Sequence, residues 1–197
     1  MKRIEYVLWS ILLGAIFFKY LNAFKFGGYG PILLVSSGTL NNFYMILSVG
    51  YFNNVVMNKN TNYKSINKFR YRLGILFGIS FGVLILSVLF KIMFWPGNLF
   101  LGKVGMVLLL ISSIGLFYYE KDKESYFFKK VISRILIIGS FGALFFFLSE
   151  DNLVDIQWRN YPRYKEAKKA YLKVIDNKEL KKKADKILEE EEKINSN

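Results

Sequence analysis

The side chains that most often carry enzyme chemistry are missing from this sequence of 197 residues. It contains no His and no Cys. A Ser-His-Asp triad, a cysteine nucleophile and a zinc site built from His or Cys are therefore excluded. We expect no catalytic residue, no bound metal and no cofactor, so the chemistry that remains is that of lysines, amides and hydroxyls.

Two lysines near the ends of apolar runs are candidates for a role in ion movement. Lys19 follows Phe18, and Lys91 follows Phe90. A lysine near the end of a membrane helix commonly extends its ammonium group to the interface. The alternative is an ion pair with a carboxylate that is buried or belongs to a partner protein. Both interpretations stay open.

A belt of hydroxyl and amide side chains interrupts the second apolar run. Its members are Ser36, Ser37, Thr39, Asn41 and Asn42. Polar groups at membrane depth need hydrogen-bond partners, so we expect bonds between helices, and a hydrated path is the alternative. Asn41, Asn42 and Glu120, which follows the fourth run, complete the candidate ion pathway with the two lysines.

Composition places these residues in a membrane protein. Hydrophobic residues make up 53% of the chain, and its mean hydropathy is +0.25. Residues 1–149 carry 16 Lys and Arg against 4 Asp and Glu, whereas residues 150–197 carry 12 against 11. Because the basic residues lie between long apolar runs, the net charge of +13 indicates anionic lipid headgroups rather than nucleic acid.

Five apolar runs approach the roughly 20 residues needed to cross a bilayer. We expect an all-α integral membrane protein with a polytopic domain over residues 1–149 and a charged helical hairpin over residues 150–197. The expected spans are residues 6–22, 31–52, 73–94, 99–119 and 131–148. The basic segments 53–72 and 120–130 then lie on the same side as the N-terminus. The positive-inside rule places that side in the bacterial cytoplasm and the tail in the periplasm.

Two helices are expected in the tail. Asn160-Tyr161-Pro162 is typical of a helix start, because proline is favoured at the first helical position. Asp176 and Glu179 have the spacing of a capping box and indicate a second start. We expect a solvated hairpin with a frayed acidic end at Glu189–Glu192, and a partner-docking element is the alternative.

Glycines at regular spacing predict close helix contacts. Gly74, Gly78 and Gly82 lie on one face of the third run, an arrangement that lets two backbones approach each other in lipid. Gly102 and Gly105 indicate a further contact. We expect these glycines to pack helices within the chain, with the Gly74/Gly78/Gly82 face joining the third and fourth runs. A contact with another subunit is the alternative.

Trp95, Pro96 and Gly97 predict a turn at the membrane interface between the third and fourth runs. Tryptophan favours the interface, proline disfavours a helix at the preceding residue, and glycine permits a sharp reversal. We expect Lys91 to lie one turn below, with its ammonium group directed toward the headgroups.

The segment Leu89–Gly97 and the apolar helix that follows resemble the membrane hairpin of the GldL-type stator protein. That family supplies the inner-membrane motor component of bacterial gliding motility and type IX secretion. Gly14–Lys19 is similar to a second, weaker copy. The resemblance implies a helical hairpin in a larger envelope complex. In the family, the second helix carries a carboxylate tied to proton flow, and the matching positions here lie near Asn42 and Tyr119, beside Glu120.

Together these observations predict a non-catalytic inner-membrane protein, an accessory or scaffold subunit of a larger envelope complex of the motility or secretion type. Its expected partners are the lipid bilayer and other membrane subunits, and a second copy of the chain stays open as a partner. The alternative is a component of a proton or ion pathway related to GldL-type stators.

Overall fold

The chain is helical in the computed structural model, which describes residues 2–21, 29–53, 67–174 and 178–195. No strand occurs in these ranges. The helices are α1 (Lys2–Leu21), α2 (Tyr29–Phe52), α3 (Lys68–Ile92), α4 (Asn98–Tyr119), α5 (Tyr126–Arg134), α6 (Ser140–Phe147), α7 (Glu150–Gln157), α8 (Pro162–Lys173) and α9 (Lys178–Asn195). The expected all-α fold is confirmed for the described part of the chain.

Four helical stretches are long and apolar enough to cross a membrane. They are Pro31–Phe52, Lys68–Ile92, Asn98–Tyr119 and Tyr126–Phe147. Among the described residues these four stretches are one fewer than the five predicted spans, because α1, the first predicted span, is not among them. The 20 residues of α1 include the charged residues Lys2, Arg3, Glu5 and Lys19.

The described residues belong to two compact units. The first combines Met1–Ile16 with Phe26–Phe147, and the second combines Phe17–Lys25 with Leu148–Asn197. The last part of α1 thus belongs to the second unit. Of the predicted basic segment 53–72, residues 54–66 lie outside the described ranges.

Within the first unit, α1 runs antiparallel to α2. Near its start, Glu5 accepts a hydrogen bond from Tyr51, close to the end of α2. Two turns further on, Leu12 and Ile16 line a small apolar cavity with Leu33, close to the start of α2. α1 therefore follows the length of α2, although its composition is more charged.

A tight turn joins α3 to α4. Gly97 has φ +89° and Phe94 has φ 54°, both in the left-handed region. Trp95 donates its backbone N–H to the carbonyl of Phe90 at 2.8 Å. Trp95, Pro96 and Gly97 therefore lie in the connection between α3 and α4.

The last apolar stretch is continuous but irregular. α5 begins after Ser125, whose Oγ accepts from the backbone N–H of Phe128 at 3.3 Å. Ile135–Gly139 then forms a π-helical segment before α6 begins. The stretch starts at Tyr126, earlier than the predicted start at residue 131, because the polar residues of α5 are helical as well.

Among the described residues after position 149, the second unit contains three helices rather than the predicted two. α7 was not predicted, and its N-cap is Ser149, whose side chain accepts from the N–H of Asn152. α8 begins at Pro162, at the predicted start. Asp176, half of the predicted capping box, lies outside the described residues.

The acidic end of α9 is not frayed throughout. Glu191 is buried, and its two carboxylate oxygens accept from the backbone N–H groups of Arg163 at 2.9 Å and Tyr164 at 3.0 Å. The first N–H groups of a helix have no partner inside it, and a negative charge there is favoured by the helix dipole. Glu191 therefore joins α9 to the start of α8.

Candidate functional site

The most unusual chemistry of the first unit is a buried carboxylate on α1. Glu5 has only 1% of its surface exposed. Arg134, at the end of α5, donates from Nε to Glu5 Oε1 at 2.8 Å and from a terminal nitrogen to Oε2. This bidentate geometry is the strongest form of an arginine–carboxylate pair. It joins residues 129 positions apart in sequence.

Two tyrosines of α2 bind the same carboxylate. The hydroxyl of Tyr44 donates to Oε1 of Glu5, and the hydroxyl of Tyr51 donates to Oε2. Tyr51 also accepts from the Arg134 guanidinium at 2.5 Å. An ionised carboxylate offers about four acceptor positions. Arg134 and the two tyrosines supply four hydrogen bonds, so the acceptor capacity of Glu5 is filled.

Lys130 extends this cluster with a second cation. Its ammonium group donates to the backbone carbonyl of Tyr51 at 2.7 Å and to the hydroxyl of Tyr126 at 2.8 Å. It also lies 3.4 Å from the centre of the Tyr51 ring, a cation–π contact. The carbonyl belongs to the last turn of α2, where carbonyl groups need donors from outside the helix. We call Glu5, Tyr44, Tyr51, Lys130 and Arg134 the Glu5 cluster.

Helical periodicity explains how three helices build the cluster. Lys130 and Arg134 are four residues apart on α5, and Tyr44 and Tyr51 are seven apart on α2. Residues at these spacings share one face of a helix. On α1, Trp9 lies one turn after Glu5, and its indole N–H donates to the Tyr44 hydroxyl at 3.3 Å.

A second bidentate pair connects α3 to the residue that follows α4. Arg70 donates from Nε to Glu120 Oε2 at 2.7 Å and from a terminal nitrogen to Oε1 at 2.9 Å. The Glu120 side chain is 7% exposed and that of Arg70 is 32% exposed. Arg70 also lies over the ring of Phe127 on α5. Glu120, predicted as an ion-pathway residue, is thus part of an ion pair whose arginine is partly exposed.

Both pairs lie at the same end of the first unit. Glu5 and Arg70 are in the first turns of α1 and α3, whereas Tyr51 and Glu120 are at the ends of α2 and α4. By the charge pattern of the sequence, this is the end predicted to face the cytoplasm. The buried carboxylates of the unit are therefore concentrated at one end of its helices.

Lys91 does not extend toward the headgroups as predicted. It is 4% exposed, and its ammonium group donates to the carbonyl of Phe146 at 3.0 Å. That carbonyl is in the last turn of α6, where backbone carbonyls have no N–H donor within the helix. The helix dipole also favours a positive charge at this end. Lys19, the other predicted lysine, is half-buried and belongs to the second unit.

The polar belt of α2 bonds mainly to its own helix. Ser36, Ser37 and Thr39 donate to carbonyls one turn earlier, at 2.5–2.7 Å. The expected bonds between helices are not made by these hydroxyls, because the carbonyl at position i−4 is within closer reach. Asn42 is exposed, whereas the Oδ1 atom of Asn41 is buried without a hydrogen bond among the described residues.

The Gly74/Gly78/Gly82 face packs against α2 and not against α4 as predicted. A Cβ built on Gly78 would lie 2.4 Å from the Tyr44 carbonyl oxygen, and one on Gly82 would lie 2.4 Å from Oδ1 of Asn41. Only glycine leaves room for an oxygen at this distance, so the two helices approach each other closely at these positions. The buried Asn41 oxygen therefore lies directly against Gly82.

Contact between α3 and α4 uses the glycines of α4 instead. A Cβ on Gly102 would lie 3.0 Å from Ser87 Oγ, and one on Gly105 would lie 2.9 Å from the Leu84 side chain. All five predicted glycines therefore lie against neighbouring helices of this chain. Spacing along α3 predicts a close approach, but it does not specify which neighbour approaches.

Sequence reasoning missed the Glu5 cluster because Glu5 precedes the first predicted span by one residue. A signal was nevertheless present. Glu5 is the first acidic residue of the chain and Glu120 is the next, while Arg134 is the one charge in the predicted span 131–148. An isolated acid and an isolated base at membrane depth are expected to pair.

Comparisons with protein-family models, characterised proteins and solved structures found no match to this chain. Among the described residues, no group of three or more carboxylates could hold a metal ion. Function is therefore argued from the geometry of the two ion pairs and the helices that carry them.

Proposed function

We propose that this chain is a non-catalytic subunit of the bacterial inner membrane, an accessory or scaffold part of a larger envelope complex. The observation that carries the proposal is the complete hydrogen bonding of the Glu5 carboxylate within the chain. All of its acceptor positions are occupied by Arg134, Tyr44 and Tyr51. A carboxylate held in this way supports a rigid assembly of α1, α2 and α5.

A proton or ion pathway is the less favoured alternative. A residue that relays protons must exchange partners, whereas Glu5 and Glu120 are each held by two hydrogen bonds from one arginine. Lys91 donates to a backbone carbonyl at the end of α6, which is a capping role. Breaking a buried pair leaves an uncompensated charge, so these contacts favour a static function.

Partner subunits would have two kinds of surface available. One side of α4 is apolar and exposed at Leu99, Phe100, Val107, Leu110, Ile111, Ile114 and Phe117. Such a face contacts lipid or another membrane helix. The second unit offers the charged helices α8 and α9. The choice of a motility or secretion complex rests on the resemblance of Leu89–Gly97 to the GldL-type hairpin.

Purification in mild detergent from the native host tests the proposal. A stoichiometric membrane partner is expected. Leu110→Trp places a larger side chain on the exposed face of α4 and should reduce the amount of partner that is recovered. Gly38→Ala, with no neighbour near the added methyl group, should not reduce it. A monodisperse chain with no partner would argue against a subunit role. Flux in liposomes that is lost in Lys91→Ala and Asn42→Leu would favour the pathway.

The proposed topology places the N-terminus in the cytoplasm and the tail in the periplasm. This topology needs an odd number of crossings, so α1 is proposed as a fifth crossing in addition to the four apolar stretches, and its antiparallel course beside α2 supports this. Because the chain has no native Cys, single cysteines report the sides directly. Pro96→Cys should react with an impermeant reagent from the periplasm and Lys121→Cys should not, since both positions are exposed at opposite ends of α4.

A further inference from the structure

An open cleft of about 380 Å³ runs along α5 and the π-helical segment. Lys123 and Lys129 line it together with Phe128, Ile132, Leu136 and Ile137. The lysines lie before and near the start of the membrane stretch Tyr126–Phe147, whereas the apolar residues lie within it. Apart from Phe128 and Ser133, which also line the cleft, the basic residues therefore precede the apolar ones along the direction in which the helix enters the bilayer.

The ammonium groups at this cleft retain capacity for an anion. Lys123 lies over the rings of Phe117 and Phe128 and donates to the carbonyls of Phe117 at 3.0 Å and Glu120 at 2.5 Å. An ammonium group has three donors, so two hydrogen bonds leave one donor for an anion. Lys129 pairs with Glu124, but the two side chains are 59% and 83% exposed. An exposed pair of this kind contributes little and is easily exchanged for another partner.

The apolar part of the cleft continues from the lysines along the same helix. Leu136 and Ile137 are 64% and 52% exposed, and Ile132 is half-buried one turn earlier. Leu136 and Ile137 belong to the π-helical segment. Such segments are frequent at functional sites, and here the segment presents two neighbouring large side chains beside the cleft.

We propose that this cleft binds one anionic phospholipid. The phosphate group lies between Lys123 and Lys129, and one acyl chain lies along Ile132, Leu136 and Ile137. Lysines beside a membrane helix attract anionic headgroups, and the apolar wall distinguishes a lipid from free phosphate. The inference rests on the proposed membrane placement, and it names a ligand for a surface that the Glu5 cluster does not use.

The full chain in mild detergent should be titrated with phosphatidylglycerol and with phosphatidylcholine of the same acyl chains. Native mass spectrometry counts the lipids that are retained. Since each basic residue near an anionic surface contributes roughly a fivefold preference, Lys123→Gln with Lys129→Gln should lose most of the selectivity for phosphatidylglycerol. Lys103→Gln, an exposed lysine outside the cleft, is the matched control and should retain it.

Two further variants separate the headgroup from the acyl chain. Glu124→Gln removes the competing carboxylate and should tighten phosphatidylglycerol binding. Ile132→Trp fills the apolar wall and should weaken both lipids, and soluble glycerol phosphate should not compete.

Equal binding of the two lipids by the wild-type chain would overturn the proposal, as would unchanged selectivity in the double lysine variant. Partner recovery in mild detergent tests the subunit role separately, so that a failure of the lipid site is distinguishable from a failure of that role.

Discussion

Helix α2 meets α1 and α3 in two different ways. Against α1 the hydrogen bonds are made by polar side-chain tips at one end, where Tyr51 donates to the carboxylate of Glu5, while Leu12 and Ile16 share an apolar cavity with Leu33 further along. Against α3 it is made by the backbone, because Gly78 lies directly on the carbonyl of Tyr44. Tyr44 takes part in both, with its hydroxyl on α1 and its carbonyl on α3.

In the membrane placement that we propose, the difference shows two ways in which helices associate in lipid. Helices gain little from hydrophobicity there, so they need either close packing or polar bonds. The α2–α3 contact uses small residues over several turns, whereas the α1–α2 contact relies on the Glu5 cluster at one end. The first is sensitive to volume and the second to charge, and substitutions can test each in isolation.

The largest effect should come from volume at Gly78. A Cβ there would lie 2.3 Å from Ser48 Oγ and 2.4 Å from a backbone oxygen. Gly78→Leu should prevent the helices from meeting and abolish recovery of monodisperse protein in detergent. Gly78→Ala should cost about 1–3 kcal/mol, the range for overpacking. Gly38→Ala on α2 has open space and serves as control, so equal losses at both positions would contradict the packing argument.

Charge at the α1–α2 contact should come next. Arg134→Leu leaves the Glu5 carboxylate buried without its cation, and removing one partner of a buried pair costs about 3–5 kcal/mol. The temperature of unfolding in detergent should fall accordingly. The double variant Glu5→Leu with Arg134→Met should recover much of the loss, because no unpaired charge is left. Additive losses in the double variant would show that the two residues stabilise the protein independently, and would contradict the argument from an unpaired buried charge.

The second arginine pair sharpens this comparison. Arg70→Leu should destabilise the protein less than Arg134→Leu, because the Arg70 side chain is 32% exposed and water reaches it. The expected loss is about 1.5–3 kcal/mol, the range for hydrogen bonds to charged groups. Parallel unfolding measurements on the two variants make the test direct. An equal or larger loss of stability in Arg70→Leu would mean that burial does not decide which of the two ion pairs contributes more.

The smallest effect is expected at an exposed ion pair in the second unit. Hydrogen bonding from Lys169, with help from Lys165, holds the pKa of Asp155 below its ordinary value of 3.8. A lowered pKa in the folded state means that the contact stabilises above the ordinary value and is lost as the pH falls through the lowered one. The carboxyl carbon shift of Asp155 should report a midpoint under 3.8, and Lys169→Gln should raise it.

The sequence by itself determined the helical class, the apolar stretches and the positions of several helix ends. Apolar runs of membrane length can satisfy their backbone groups only as helices in lipid. Pro162 at the start of α8 and Gly97 before α4 mark ends for local reasons, namely a fixed φ and a left-handed φ. Signals of this kind depend on only a few neighbouring residues, so they can be recognised in the linear sequence.

Only the tertiary structure decided which surfaces meet. The glycines of α3 predict a close helix contact, but the helix they contact is α2. Lys91 donates to a backbone carbonyl in the last turn of α6 instead of reaching the membrane interface. Glu5 pairs with a residue 129 positions away. Helix association depends on distance between surfaces in space, and residue spacing along one helix carries no information about the neighbour. The Glu5 cluster therefore emerges only once three helices are brought together.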